Sequence, residues 1–108
     1  MDFNVFVSLP MRGLSIEDIE KRQKDIFERV ALPEWKLLKT TDVVDEAEKD
    51  NQLWYLGRSI QILGRADVVI FANDWRTARG CVAEHLIAEA YGIHCLYEGE
   101  DDLHAFVE

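Results

Sequence analysis

At 108 residues the chain has room for one compact domain, residues 1–108, with a core of its own, and is too short for two. Twelve basic against twenty-one acidic residues leave a net charge of −9, so long-range electrostatics oppose a nucleic-acid backbone or an anionic membrane as partner, and any phosphate must be gripped locally. No apolar run approaches the roughly 20 residues that span a bilayer, and the N-terminus has no basic and then apolar leader, so the expected setting is the cytoplasm.

Phe3 to Leu9, FNVFVSL, is apolar, rich in β-formers and too short for a helix, which makes it the first strand. Pro10, Met11, Arg12 and Gly13 form a turn. Ser15 followed by Asp18 resembles a capping box with Asp in place of the usual Glu, and Leu14 and Ile19 stand where a hydrophobic staple would. The helix they open carries Ile16, Ile19, Ile26, Phe27 and Val30 as an apolar stripe and stops before Pro33. Trp35 to Lys39 reads as a short second strand, and Thr40 to Asn51 as an acidic loop, with room for a helical turn, at the ligand end of the sheet. A second helix runs from about Gln52 to Arg65 with Leu53, Leu56, Ile60 and Leu63 on its inner face, weakened slightly by Gly57.

Asp67 to Ala72 is a continuous apolar run, the pattern of a strand buried on both faces. After a polar loop containing Trp75, a third helix opens near Gly80 and holds Glu84 in its first turns. It sends Val82, Ala83, Leu86, Ile87 and Ala90 inward, leaves His85 and Glu89 on the solvated side, and ends at Gly92. His94 to Tyr97 is a fourth strand, and an acidic stretch from Glu98 to Asp102 precedes a short last helix using Leu103, Phe106 and Val107. This alternation implies an α/β fold with a parallel sheet and helices on both faces.

In such a sheet ligands bind beyond the carboxyl ends of the strands. Two loops reach that edge, Ser8 to Ser15 and Asn73 to Gly80, offering Ser8, Arg12, Gly13, Asn73, Asp74, Trp75, Arg76, Thr77, Arg79 and Gly80. One reading is an anionic or sugar-bearing ligand held by Arg12, amides near Gly13 and a helix N-terminus. The other is ordinary turn chemistry with solvated charges. Glu84 either complements the helix dipole, worth roughly 0.3 to 1 kcal/mol, or is an ionised nucleophile aimed at the crevice. Trp75 either lids a flat heterocycle or anchors its loop to the core.

Cys81 and Cys95 read as free thiols. Cys81 with His85, four apart on a helix, is the sole ligand-type pair, so neither a metal site nor a cofactor is expected. A receiver domain would need an acidic pair where Ser8, Leu9 and Pro10 stand, and the G-x-G-x-x-G, P-loop and G-x-S-x-G motifs are absent.

FVSLPMRGLS after the first strand, WYLGRSIQILGRADVVIFA through the third and GCVAEHLIAEAYGI after it resemble the nucleoside 2-deoxyribosyltransferase-like superfamily. The nearest pattern is that of small bacterial and phage proteins of uncharacterised function with a DUF4406-type domain, and the likeness covers about residues 3 to 97. It implies a flavodoxin-like sandwich with sheet order 2-1-3-4, usually with a fifth strand, and a homo-oligomer. Characterised relatives cleave the N-glycosidic bond of deoxynucleosides or their 5′-monophosphates. Their nucleophilic glutamate matches Glu84, counted from Gly80, and attacks the anomeric carbon before water or an acceptor base resolves the deoxyribosyl-enzyme.

By the same resemblance Ser8, Arg12 and Gly13 hold the sugar or phosphate, and Asp74 and Trp75 lie near the base. Ser59 stands where those relatives carry an aspartate that engages the base, a duty left to Asp74 or Asn73. The chain is also shorter than those enzymes and lacks the last strand and tail that help complete a neighbouring subunit's site. The alternative is a non-catalytic module that binds a nucleotide-like ligand as a sensor or adaptor.

Overall fold

A computed structural model of the chain describes residues 2–41, 47 and 50–103. Strands β1 (Asn4–Ser8), β2 (Lys36–Leu37), β3 (Val68–Phe71) and β4 (His94–Tyr97) pair in parallel in the order β2-β1-β3-β4. Helices α1 (Ile16–Val30), α2 (Gln52–Leu63) and α3 (Arg79–Ala90) flank the sheet. This is the expected α/β architecture, a flavodoxin-like sandwich, with four strands among the described residues. Among the described residues no helix is long and apolar enough to cross a membrane.

Strand side chains alternate between faces, and the sheet accordingly builds two cores. Val5, Val7, Leu9, Val68, Ile70 and Ala72 pack with Ile26 and Val30 of α1. Phe6, Val69 and Phe71 pack on the other face with Leu63 of α2, Trp75, and Cys81 and Ala88 of α3. The pairing of Ser8 with Phe71 brings β1 and β3 to the same edge, where the loops after them begin.

Local signals place the helix starts. The Ser15 hydroxyl accepts from the backbone N–H of Asp18 at 3.1 Å, and the Asn51 side chain caps α2 from the N–H of Trp54, also at 3.1 Å. Gly92, at φ 73°, supplies the left-handed stop after α3, with the Ile93 N–H returning to the Ala88 carbonyl.

The inward faces differ from the periodicity in three places. In α1, Ile16 is 52% exposed, because it opens the first turn; Ile19, Gln23, Ile26 and Val30 are buried, and Gln23 donates to Thr40 Oγ1 at 2.7 Å. In α2 only Leu63 is buried, Leu56 and Ile60 are half-buried, and Leu53 is 78% exposed. Its first turn is held by the Asn51 cap and by a hydrogen bond from Arg79 to Gln52 rather than by packing.

The correction in α3 is the largest. The residues turned inward are Cys81, Glu84 and Ala88, with Ala83 and Ile87 half-buried, while Val82 and Leu86 are 45% and 67% exposed and Ala90 faces solvent. Small Cys81 and Ala88 let the helix approach a sheet face already filled by Phe6 and Phe71. The expected acidic loop at 42–46, 48 and 49, and the Phe106 and Val107 portion of the expected last helix, lie outside the described residues.

Candidate functional site

β1 ends at Ser8 and β3 at Phe71, so their loops and the start of α3 share the carboxyl edge of the sheet. Glu84 is the sixth residue of α3, past the first turn, which rules out its reading as a dipole-complementing residue. It turns inward, is only 7% exposed, and accepts a 2.8 Å hydrogen bond at Oε1 from Ser8 Oγ. The contact joins residues 76 positions apart.

No Lys or Arg among the described residues forms an ion pair with Glu84. Burial therefore pushes its carboxyl up from 4.5 to about 7, the Ser8 hydroxyl offsetting part of that rise. The same hydroxyl acts on the Cys81 thiol one turn earlier, but burial prevails and raises it to about 11. A thiol so raised is protonated at neutral pH and is a poor nucleophile. Of the two nucleophilic types at this edge, only the carboxyl is half-ionised near neutrality.

The loop after β3 is built against α1 and β4. Trp75 opens a 3-10 turn, Trp75–Thr77, and is 8% exposed, its ring 5.3 Å from that of Phe71 and stacked on His85 at 4.2 Å. Its indole anchors the loop to the core. Asp74 accepts a two-pronged hydrogen bond from Arg22 at 2.9 and 3.3 Å, and this bond raises the Arg22 guanidinium further above its ordinary value. The Asn73 N–H donates to Glu98 Oε1 at 3.0 Å, while Arg29 binds the other oxygen of Glu98 at 3.1 Å and Asp102 at 2.9 Å. Glu98 thus ties the end of β4, the β3 loop and α1 together although it is buried.

Neither Arg22 nor Glu98 stood out in the sequence, since their partners lie 52 and 25 to 69 residues away. His85 was expected on the solvated side and is instead held inside an aromatic group. Its Nε2 lies 2.6 Å from the Tyr97 hydroxyl and its Nδ1 3.1 Å from Glu89, with the Phe71 ring at 4.9 Å. An apolar sheet face captures the imidazole because Trp75 and Tyr97 converge there.

The other expected residues have these places. Arg12 is exposed, in the turn after β1, and makes no ion pair among the described residues. Gly13 follows at φ 81°, a conformation that favours glycine. Asn73 is exposed at the end of β3. Gly80 is half-buried in the first turn of α3, where a Cβ would touch nothing within 4 Å. Ser59 is half-buried on α2. A cavity of about 380 Å³ opens beside the β3 loop, lined by Ala72, Asn73, Trp75, Arg76 and Tyr97 to Glu100. Among the described residues no three His, Cys, Asp or Glu side chains gather as a metal site.

Fold and edge define a class, a parallel α/β protein whose buried, hydroxyl-held carboxyl group lies at the carboxyl edge of its sheet. Comparisons with protein-family models, curated proteins and solved structures return no match.

Proposed function

We propose that the protein cleaves, or exchanges the base across, the N-glycosidic bond of a deoxynucleoside or its 5′-monophosphate, with Glu84 as nucleophile. The observation that carries this reading is the buried Glu84 carboxyl, free of any cation among the described residues and oriented by Ser8. The resemblance of its surrounding motifs to deoxyribosyltransferases adds to it. A desolvated carboxylate gains strongly from a neighbouring cation, and an oxocarbenium-like sugar supplies one only as the glycosidic bond breaks.

In this mechanism an ionised Glu84 oxygen bonds to the anomeric carbon while the carbon–nitrogen bond breaks and its electron pair leaves with the base. The leaving nitrogen takes a proton from solvent or from a neighbouring group. Water or a second base then attacks the same carbon, releasing Glu84. Ser8 holds the carboxylate in line and Arg12 closes over a 5′-phosphate where the substrate has one. Asp74 and Asn73 lie at the base side, Asp74 as an acceptor whose oxygens already take the Arg22 guanidinium.

That pairing, with Ser59 in place of an acid on α2, also favours a second reading, a nucleotide-binding sensor without catalysis. The experiment that separates them incubates the protein with deoxynucleosides and 5′-monophosphates, with and without acceptor bases, and follows free base by chromatography. Base release should fall at least about 10³-fold in Glu84→Ala. As a nucleophile Glu84 must be ionised, so kcat/KM should rise with pH to a plateau above about 7. No release across the panel, with ligand-induced thermal stabilisation that persists in Glu84→Ala, refutes the enzyme and selects the sensor.

A further inference from the structure

The cavity of about 380 Å³ beside the β3 loop lies outside the chemistry proposed for Glu84. It opens at the carboxyl ends of β3 and β4, one strand further along the sheet, and of the residues placed in that reaction only Asn73 lines it.

Two charges on its lining stand without partners. Arg76 is exposed, its guanidinium 4.7 Å from the centre of the Trp75 ring, and it makes no hydrogen bond or ion pair among the described residues. The other charge comes from the acidic run after β4, most of which is engaged within the fold. The Glu98 oxygens accept from the Asn73 N–H and from Arg29, Asp101 accepts from the Tyr97 N–H at 2.8 Å, and Asp102 accepts from Arg29 and, at 2.8 Å, from the Gly99 N–H. Glu100 is the one carboxylate of that run left exposed and without a side-chain partner among the described residues.

Arg76 and Glu100 thus line one cavity and form no ion pair with each other. Both act on the same phenol. Burial, then Cys95, Glu89 and Glu100, push the Tyr97 hydroxyl above its ordinary value, while Arg76 opposes them. The Tyr97 oxygen is fixed by His85, whose Nε2 lies 2.6 Å away.

These features decide what the cavity can take. The net charge of −9 opposes a free anion, and Arg76 opposes a free cation. A flat heterocycle finds little ring to stack on, since the Trp75 indole is 8% exposed and already carries the His85 imidazole and the Arg76 guanidinium. A zwitterion meets none of these objections. It is neutral overall, its carboxylate matches the guanidinium fork, and its ammonium matches a carboxylate.

We propose that this cavity is a ligand site separate from Glu84 that takes a small zwitterion of the amino-acid type, with the carboxylate on Arg76 and the ammonium on Glu100 beside the Tyr97 hydroxyl. Both charges are exposed and screened, so binding is expected in the high micromolar to millimolar range.

The test is titration of the whole chain with the standard amino acids and with β- and γ-amino acids, followed by backbone amide NMR shifts. At least one should bind and shift the amides of Asn73, Arg76 and Gly99. Its decarboxylated amine and its N-acetylated acid should each bind at least about threefold more weakly. Arg76→Met and Glu100→Gln, both at exposed positions that spare the fold, should weaken binding to a similar degree. The first should also abolish the preference over the decarboxylated amine, and the second the preference over the N-acetylated acid. Three outcomes would overturn the proposal. These are no binding or shifts confined to other residues, an N-acetylated acid that binds as well as its parent, which marks a plain anion site, or preferences that survive both substitutions.

Discussion

Helices α1 and α3 cover opposite faces of one sheet and follow opposite rules. α1 has a conventional division, with Ile19, Ile26 and Val30 toward the sheet and most of its charges in solvent. α3 turns a carboxylate and an imidazole inward and leaves Val82 and Leu86 outside. A helix that only stabilises a fold has no reason to bury Glu84, whose desolvation opposes folding once it is ionised. The difference separates a helix that is scaffold from one whose inward face, on the reading proposed for Glu84, serves a site.

The sharpest way to break that comparison is truncation of equivalent apolar residues on the two helices. Ile26→Ala should cost about 3 kcal/mol, since Ile26 is 1% exposed in the α1 core. Leu86→Ala, measured by denaturant titration, should change stability by no more than about 0.5 kcal/mol, since Leu86 is 67% exposed. Comparable losses would mean that α3 packs apolar side inward after all.

Glu84→Gln comes next. Because the folded pKa of about 7 lies above the ordinary 4.5, the folded protein retains a proton that the unfolded chain releases between those values. The stability linked to that proton is fully present below about pH 4.5 and is lost as the pH rises through about 7. Glutamine keeps an acceptor for Ser8 but never ionises, so the variant should be more stable than wild type at pH 8, by on the order of 2 to 3 kcal/mol, and nearly equal to it at pH 4. Thermal melts at the two pH values check this, and a gain of equal size at both would mean that the carboxylate is not desolvated.

The smallest effect is expected on the scaffold helix. Ser15→Ala removes the hydrogen bond to the Asp18 N–H and should lower stability by about 1 kcal/mol at any pH, without altering Glu84.

The elements legible in the residues were those whose signals act over a few positions. The apolar runs at Val68–Phe71 and His94–Tyr97, the Ser15 cap and the Gly92 stop all occur where the patterns put them. Strand order came from the motif resemblance rather than from periodicity, and the parallel pairing agrees with it. The placement of the candidate site's residues was legible in part. Ser8 and Glu84 were both expected at the carboxyl edge, and they are in contact. Arg22 and Glu98 were not legible, because a guanidinium in mid-helix and a carboxylate in an acidic run look solvated until the fold brings Asp74, Asn73 and Arg29 to them.

By itself, then, the sequence determined the alternation of strands and helices, where most of them begin and end, and an acidity that lies outside α2 and α3 taken together. Only the tertiary structure decided the rotational setting of α3, and with it the burial of Glu84, its pairing with Ser8 and the exposure of Leu86. The reason is physical. Caps and periods are short-range properties of the chain, and an apolar stripe says only that one face prefers burial. Which face is buried depends on what the sheet offers. Here two phenylalanines, a tryptophan and a serine hydroxyl from distant segments accept the small and polar side of α3 and leave its larger aliphatic side outside.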